Sequence, residues 1–306
     1  MYDKINYIRN IKFFYSIHSK VNCMKMASSL INEINFFNEF KPWYLKILED
    51  FNFDYKKDFI AQDCLSQILK IKSKSWDLEE ILAIFKELIQ SKTAILIYGC
   101  GPSLEETVNY ILYELGVKIF DKCLNFTADG AVRLLREKKI HVDGNFTDLD
   151  GVTKKDFRYS TFNIVHAHGD NIKKLNYFKD EIINFKKLIA TSQVEPIENI
   201  VNPGGFTDGD RILFFLKSFL LPNQEIFLIG MDFDNIIGKY SKPKMIKNEK
   251  ASSIKKKKLN YAKDLIEWLA SKIKNNIFFI NSNISSKFFK SISLEYFKEL
   301  ILSQLD

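Results

Sequence analysis

The sequence lacks the patterns that mark disulfide-rich, zinc-binding or membrane-spanning proteins. Its four cysteines, Cys23, Cys64, Cys100 and Cys123, have no Cys-x-x-Cys spacing and no histidine at zinc-finger distance. Neither a disulfide framework nor a structural zinc site is therefore indicated. No stretch approaches the roughly 18 uncharged apolar residues of a membrane span, and charges interrupt the N-terminal residues every few positions. We expect a soluble, cytoplasmic protein with no membrane partner.

Glycine is absent from both flanks of the chain. All 12 glycines lie between Gly99 and Gly238 of the 306 residues. Glycine marks backbone that turns tightly or approaches a ligand closely. Residues 1–90 instead carry apolar residues at helical spacing, as in DCLSQILKI (63–71) and LEEILAIFKELI (78–89). They predict an N-terminal helical region.

From Thr93 onward, short β-branched or aromatic runs alternate with helical stretches. The strand candidates are residues 94–98, 124–127, 162–166, 187–191, 225–229 and 276–280. Over residues 91–306 this alternation predicts an α/β catalytic domain with a doubly wound, mostly parallel sheet and helices on both faces. Ligands bind such sheets at the carboxyl ends of the strands, and the motifs fall there.

Positive charge is concentrated in one segment only. The net charge is +7, and Lys255 to Lys258 are consecutive within residues 241–258. An ordinary solvated surface is one interpretation of this run, and a segment that closes over phosphates is another. Nucleic-acid contact would require interleaved aromatic residues, which the run does not have, so no nucleic-acid partner is expected. Whether copies of the chain form a homo-oligomer stays open.

A glycine-containing turn follows the strongest strand candidate. It reads Gly99-Cys100-Gly101-Pro102-Ser103, and Ser103 with Glu106 has the spacing of a capping box. The free N–H groups of the helix would then face the loop, which suits phosphate or ribose. A tight strand-to-helix turn without a ligand is the alternative, because the pattern is neither a Walker A nor a G-x-G-x-x-G sequence.

Aspartates recur at the predicted strand ends. They are Asp129, Asp148, Asp150 and Asp170, each beside a glycine or in a glycine-containing motif. An extended backbone would point Asp148 and Asp150 to one side, with Leu149 turned to the core. Two carboxylates so close repel each other unless a cation lies between them. Mg²⁺, which prefers carboxylates and phosphate oxygens, is the cofactor that these residues indicate.

Two further loops supply candidate ligand contacts. His166 and His168 alternate, but two histidines alone make an incomplete zinc site, so substrate contact is preferred. The remaining predicted contacts are Asn171 in the same loop, Gly204, Gly205, Thr207, Asp208, Asp210 and Arg211 in the second loop, and Asp232 at a later strand end. Helix capping or a structural ion pair is the alternative for Asp208 and Arg211.

Six motifs in order resemble one known family. They are GPSL (101–104), ADGA (128–131), TDLDG (147–151), HAHGDN (166–171), GGFTDGDR (204–211) and GMDF (230–233), the last followed by G-x-Y-S (238–241). In this order they resemble the archaeal 6-hydroxymethyl-7,8-dihydropterin pyrophosphokinases. The spacing from ADGA to TDLDG is also similar to that of thiamin pyrophosphokinase catalytic domains. Cys100 and Pro203 depart from the residues usual in the family.

The resemblance implies transfer of diphosphate from ATP to 6-hydroxymethyl-7,8-dihydropterin, giving AMP and the pterin diphosphate for tetrahydromethanopterin- or folate-type cofactor synthesis. It implies Mg²⁺ on Asp148 and Asp150, assisted by Asp129 and Asp170, with ATP and a pterin as partners. Two alternatives stay open: a nucleotide-sugar-dependent, glycosyltransferase-like protein of the same superfamily, and a non-catalytic nucleotide-binding module.

Overall fold

The computed structural model describes residues 30–233, 235–284 and 286–305. The expectations for residues 1–29, including Cys23, lie outside the described residues. Within the described ranges no helix has both the length and the apolar character required to cross a membrane.

Ten strands form the β-structure of the described chain. They are β1 (Ala94–Tyr98), β2 (Leu124–Ala128), β3 (Gly144–Thr147), β4 (Phe162–Ala167), β5 (Leu188–Ser192), β6 (Glu225–Ile229), β7 (Ile236–Ile237), β8 (Glu249–Lys250), β9 (Ile277–Ile280) and β10 (Lys290–Ile292). Eight of them form one sheet in the order β10-β9-β6-β1-β2-β3-β4-β5, with every neighbouring pair parallel. The other two, β7 and β8, form an antiparallel pair. Because β6 returns to pair with β1, the topology is doubly wound, as predicted.

Helices cover both faces of this sheet. They are α1 (Phe37–Phe51), α2 (Tyr55–Lys70), α3 (Leu78–Ile89), α4 (Leu104–Leu115), α5 (Lys118–Lys122), α6 (Ala131–Glu137), α7 (Lys154–Phe157), α8 (Ile172–Tyr177), α9 (Lys179–Asn184), α10 (Asp208–Leu216), α11 (Ser253–Ala270) and α12 (Leu294–Leu305). Alternate residues of the central strands point into two separate cores. One core packs mainly under α1, α3, α10 and α11, and the other mainly under α2, α4, α6 and α12.

The N-terminal helices pack directly on the sheet. In α3, the buried Phe85 ring lies 5.8 Å from the ring of Phe126 and 4.9 Å from that of Phe162, measured between centroids. Helices between Phe37 and Ile89 therefore share the core of the sheet, in agreement with the predicted helical region. The division of the chain at residues 90 and 91 stays a prediction.

The six predicted strands are all present, with ends that differ by one residue at most. The strands missed by the sequence analysis are β3, β10 and the β7–β8 pair. Strand β3 has the sequence GNFT, and glycine and asparagine are uncommon in strands. It is nevertheless buried along its whole length, because β2 and β4 flank it on both sides. Tertiary pairing rather than local propensity therefore forms this strand.

Candidate functional site

A cavity of about 510 Å³ lies at the carboxyl ends of the parallel strands. The loops that follow β1, β2, β3, β4 and β6 all contribute to its lining. Residues from α2 and α11 also line it. It therefore occupies the crevice beside the switch point between β1 and β6, where ligands of doubly wound sheets bind.

Three aspartates converge in this cavity. Asp129, Asp148 and Asp208 each place one carboxylate oxygen so that the three oxygens lie within 4.8 Å of one another. We refer to these residues as the acidic triad. Asp129 follows β2 with a left-handed φ of 48°, its amide donates to the carbonyl of Phe146 at 2.7 Å, and the Thr147 hydroxyl donates to its carboxylate at 2.6 Å.

The negatively charged carboxylates of the triad repel one another. Burial, together with the charge of Asp148, raises the pKa of Asp129 to about 7. Burial and the charges of Asp148 and Asp129 raise the pKa of Asp208 well above its usual range. Burial alone would raise the pKa of Asp148 too, but the hydrogen bond and charge of His168 bring it below the usual range. Asp148 is therefore the most acidic of the three, while burial first and the charge of Asp148 second keep the pKa values of Asp129 and Asp208 above their usual range.

This donor set suits a hard divalent cation. Mg²⁺ is bound through carboxylate oxygens, and a cation among the three side chains would remove the repulsion that raises the pKa values of Asp129 and Asp208. The acidic triad therefore fits the magnesium ion predicted from the sequence. Asp129 and Asp148 were predicted as metal ligands, whereas Asp208 was predicted as a substrate contact.

Asp150 and Asp170 lie outside the triad. The expected extended conformation is wrong here, because Leu149 has a left-handed φ of 71°, so that Asp148 and Asp150 diverge. Leu149 is buried in the core, as expected. Asp150 forms an ion pair with Lys242 and lies 3.9 Å from Lys174 Nζ, and Asp170 is exposed at the cavity rim. A metal role for these two residues stays a prediction.

The histidine loop after β4 is held by hydrogen bonds to the acidic loop. Nε2 of His168 lies 3.3 Å from Oδ2 of Asp148. The Asn171 side chain donates to the carbonyls of Asp148 at 2.9 Å and His166 at 2.6 Å, so Asn171 joins the two loops. Nδ1 of His166 lies 3.0 Å from the Thr191 hydroxyl.

His166 presents an unused ring nitrogen. Its Nε2 is buried and forms no hydrogen bond within the described part of the chain, although the residue lines the cavity. Burial and the charge of Arg211 lower the pKa of His166 well below its usual range. Arg211 is buried too, and its Nε likewise has no partner among the described residues. The neutral imidazole and the guanidinium thus form a polar floor to the cavity.

The glycine turn after β1 is shaped by contact with the loop after β6. A Cβ atom on Gly101 would lie 2.2 Å from Oδ2 of Asp232. The predicted capping box is wrong, because the Ser103 side chain makes no helix-capping bond. The Ser103 hydroxyl donates to Oδ1 of Asp232 at 2.6 Å and its amide to Oδ2 at 2.9 Å. The carboxylate of Asp232 therefore lies at the N-terminus of α4, where an anionic ligand was expected.

The second glycine loop positions the start of α10. Gly204 and Gly205 have φ values of 86° and 87°, which side chains other than glycine adopt rarely. A capping box between Thr207 and Asp210 begins the helix at Asp208. This position brings Asp208 into the triad, and Arg211 lies 3.5 Å from its carboxylate.

The predicted site residues divide into those at the cavity and those behind it. The cavity is lined by Gly99, Gly101, Asp129, Asp148, Asp150, His166, His168, Asp170, Thr207, Asp208, Arg211 and Asp232. Behind this lining lie Ser103, Asn171, Gly204, Gly205 and Asp210, which bond or shape the loops. Cys100 also lines the cavity, but burial raises the pKa of its thiol to about 12, so it does not supply a thiolate.

The model of one protein family, described as 6-hydroxymethylpterin diphosphokinase MptE-like, matches residues 65–238. The chain belongs to this family. It is 36% identical over 240 residues to the 6-hydroxymethyl-7,8-dihydropterin pyrophosphokinase of Pyrococcus furiosus, covering 78% of this chain and 94% of the relative. It is 37% identical over 245 residues to the enzyme of that name from Methanocaldococcus jannaschii, covering 77% of this chain and 96% of the relative. These matches confirm the resemblance inferred from the motifs.

Among solved structures, the chain is similar to the MAf glycosyltransferase from Magnetospirillum magneticum AMB-1. The TM-score is 0.39 and the sequence identity 15%, and the match covers 70% of this chain and 37% of that chain. A likeness this distant bears on neither the fold nor the function of this MptE-like protein.

Two parts of the cavity lie outside the family match, and the sequence analysis named no site residue in either of them. They are the residues at the junction of α1 and α2 (52–58) and those from residue 241 to the start of α11 (241–259), which we call the flanking segments. They bring Phe53, Asp58, Lys255 and Lys258 to the site. The run of lysines was the one signal in the sequence that pointed to this second segment.

Proposed function

We propose that this protein transfers a diphosphoryl group from ATP to 6-hydroxymethyl-7,8-dihydropterin, giving AMP and the pterin diphosphate. The observation that carries the proposal is the acidic triad in the cavity of a chain that belongs to the MptE-like family. Because ATP is abundant in the cytoplasm, the reaction would take place there.

The acidic triad would hold Mg²⁺ in this reaction. Bound between Asp129, Asp148 and Asp208, it would supply positive charge to the phosphate oxygens on which negative charge develops during transfer. Nε2 of His168 lies 3.3 Å from the Asp148 carboxylate, and the Asn171 side chain donates to the backbone carbonyl of the same residue at 2.9 Å. Such contacts restrict the carboxylate to one orientation, which an electrostatic site requires.

The rest of the cavity fits a planar ring. Phe53, Phe206, Met231 and Phe233 supply apolar surface near the polar floor of His166 and Arg211. A dihydropterin is a nearly planar bicyclic ring with two faces and an edge of nitrogen and oxygen atoms. Its faces would contact the apolar side chains, while Nε2 of His166, which no described residue satisfies, would hydrogen-bond to the edge.

The reaction balances without a covalent enzyme intermediate. The hydroxymethyl oxygen forms a bond to the β-phosphorus, and the bond from this phosphorus to the oxygen that bridges to the α-phosphorus breaks. AMP leaves with that oxygen, and the hydroxyl proton is released to water. Holding the two substrates in line and neutralising charge would account for most of the rate, since little covalent work is left to the protein.

The decisive assay is incubation of the purified protein with ATP, MgCl₂ and 6-hydroxymethyl-7,8-dihydropterin, with AMP and pterin diphosphate followed by chromatography. The double variant Asp148→Asn/Asp208→Asn should lose activity, whereas Asp63→Asn, an acid-to-amide change on an exposed residue of α2, should not. Formation of ADP instead of AMP, or AMP formation that does not depend on the pterin, would contradict the proposal.

A further inference from the structure

The first turns of α11 bring two lysines to the cavity. Lys255 and Lys258, three residues apart in the helix, line the cavity, whereas Lys256 is exposed. Lys257 points elsewhere and lies 3.8 Å from a carboxylate oxygen of Asp50 in α1. The run of four lysines is therefore not a uniform solvated surface, because its first and last members line the cavity and its two middle members do not.

Neither cavity lysine has an ion-pair partner in the described ranges. Lys242, by contrast, pairs with Asp150 within the same cavity. The ammonium group of Lys258 lies 5.2 Å from the ring centre of Phe53 and 5.7 Å from that of Phe206. Burial and the charge of Lys255 lower the pKa of Lys258. Two partly buried cations thus face the cavity without a counter-ion.

The two lysines and the acidic triad line the same cavity and interact electrostatically. The charge of Lys255 opposes the rise in the pKa of Asp208, and the charge of Asp148 opposes the fall in the pKa of Lys258. The groups do not form ion pairs, so space is left between them. A polyphosphate together with a divalent cation would fill this space with alternating charge: carboxylates, metal, phosphate oxygens and ammonium groups.

We propose that Lys255 and Lys258 bind the triphosphate of the nucleotide from the side opposite the acidic triad, so that the start of α11 completes the substrate site. Contacts of α11 with α1 hold the lysines in place, since the Tyr261 hydroxyl donates to the carboxylate of Asp50 and Trp43 packs on Tyr261. The identification of the anion as ATP rests on the proposed function. The binding of a polyphosphate rests on the lysines themselves.

The test is calorimetric titration of the full chain with inorganic tripolyphosphate in the presence of MgCl₂. The variant Lys255→Met/Lys258→Met should bind about 100-fold more weakly than the unmodified protein, at roughly tenfold for each charged hydrogen bond. Lys256→Met, on the exposed side of the same helical turn, is the matched control and should bind as the unmodified protein does. Lys255→Arg/Lys258→Arg should restore much of the affinity, because it retains both charges.

Steady-state kinetics with ATP distinguish a loss of nucleotide binding from a loss of activity caused by misfolding of the variant. We expect the methionine double variant to raise KM for ATP by at least tenfold while KM for the pterin changes less than twofold. If the lysines had only a structural role, the double variant would lose activity without a selective rise in KM for ATP. The arginine double variant would then not restore the activity. Equal tripolyphosphate binding by the double variant and the Lys256→Met control, or no binding by the unmodified protein, would overturn the proposal. If the protein binds tripolyphosphate through these lysines but forms no AMP, the proposal for the lysines stands and the diphosphokinase function is refuted.

Discussion

The strand-end loops bring the acidic triad to the cavity, whereas the flanking segment at the start of α11 brings Lys255 and Lys258. The two groups differ in charge and in the contacts that hold them in place. Asp129 and Asp148 stand on loops that follow neighbouring strands, as in the bond from the Asp129 amide to Phe146, and Asp208 begins α10. Lys255 and Lys258 stand on the first turns of one helix, held by contacts with α1. In the proposed function, the loops of the parallel sheet hold the metal ion, whereas the flanking segment at α11 supplies positive charge for the phosphates of the substrate.

The same contrast appears within a single motif. Asp148 and Asp150 are two residues apart, yet Asp148 belongs to the triad and Asp150 pairs with Lys242 of the opposite charge. The left-handed conformation of Leu149 separates them. We therefore expect substitution of Asp148 to lower the activity more than substitution of Asp150 does.

The largest effect is expected from the strand-end loops. Asp148→Asn should lower kcat by about 100-fold or more, because it removes the most acidic member of an electrostatic site. Asp150→Asn should lower it by less than about tenfold, since this residue lies outside the triad and its loss mainly frees Lys242. Steady-state kinetics of AMP formation measure both. Equal losses in the two variants would remove the distinction drawn here.

The second prediction concerns the pH dependence of stability without metal. Because the pKa of Asp129 is raised to about 7 in the folded state, the folded protein retains a proton that the unfolded chain loses near pH 4. The free energy of unfolding should therefore fall as the pH rises from about 4 to about 7, by at most about 1.4 kcal/mol per unit for this group.

Urea denaturation at several pH values in the presence of EDTA measures this slope. Asp129→Asn, which carries no titrating proton, should show a flatter profile in the same window. If the profile of Asp129→Asn runs parallel to that of the unmodified protein, the pKa of Asp129 is not raised in the folded state.

The third prediction is the stabilisation by Mg²⁺. Addition of MgCl₂ should raise the Tm of the unmodified protein, because a cation that binds only the folded state shifts the folding equilibrium. Asp208→Asn should show a much smaller rise, while the exposed Asp63→Asn should respond as the unmodified protein does. Differential scanning fluorimetry with increasing MgCl₂ compares the three proteins. An undiminished response in Asp208→Asn would exclude this residue from the metal site.

The smallest effect is expected where a flanking segment joins the strand-end loops. The buried Tyr44 hydroxyl donates to Asp58 at 2.6 Å, and the other carboxylate oxygen of Asp58 accepts from the Gly169 amide at 2.7 Å. Tyr44→Phe should lower the free energy of unfolding by about 2 kcal/mol, within the usual range for one hydrogen bond to a charged group. Urea denaturation measures it, with Tyr113→Phe, at an 87% exposed residue, as the control without effect.

Much of the fold was predictable from local patterns. Six strands and their alternation with helices follow from short apolar runs between glycine-containing turns, and parallel pairing follows from the length of the connections. The motifs at strand ends indicated the correct edge of the sheet. Strand β3 was missed because its glycine and asparagine have little strand propensity of their own, and only its neighbours make it a strand.

The sequence predicted less well which side chains form the site. Asp208 was predicted as a substrate contact, because nothing in its local sequence shows that the capping box at Thr207 points its carboxylate towards Asp129 and Asp148. Ser103 was predicted to cap α4 and instead binds Asp232, which lies more than a hundred residues away in the chain. In each case a contact between distant segments replaced the local one.

The sequence by itself determined the class of fold, the family and the loops that carry the acidic residues, since these depend on residue types at short spacing. Only the tertiary structure decided which carboxylates meet and which lysines face them. The left-handed turn at Leu149 separates neighbours in the chain, and the packing of α11 on α1 brings residues from the far flank to the cavity. Side-chain convergence depends on backbone direction and on long-range packing, which local sequence patterns do not encode.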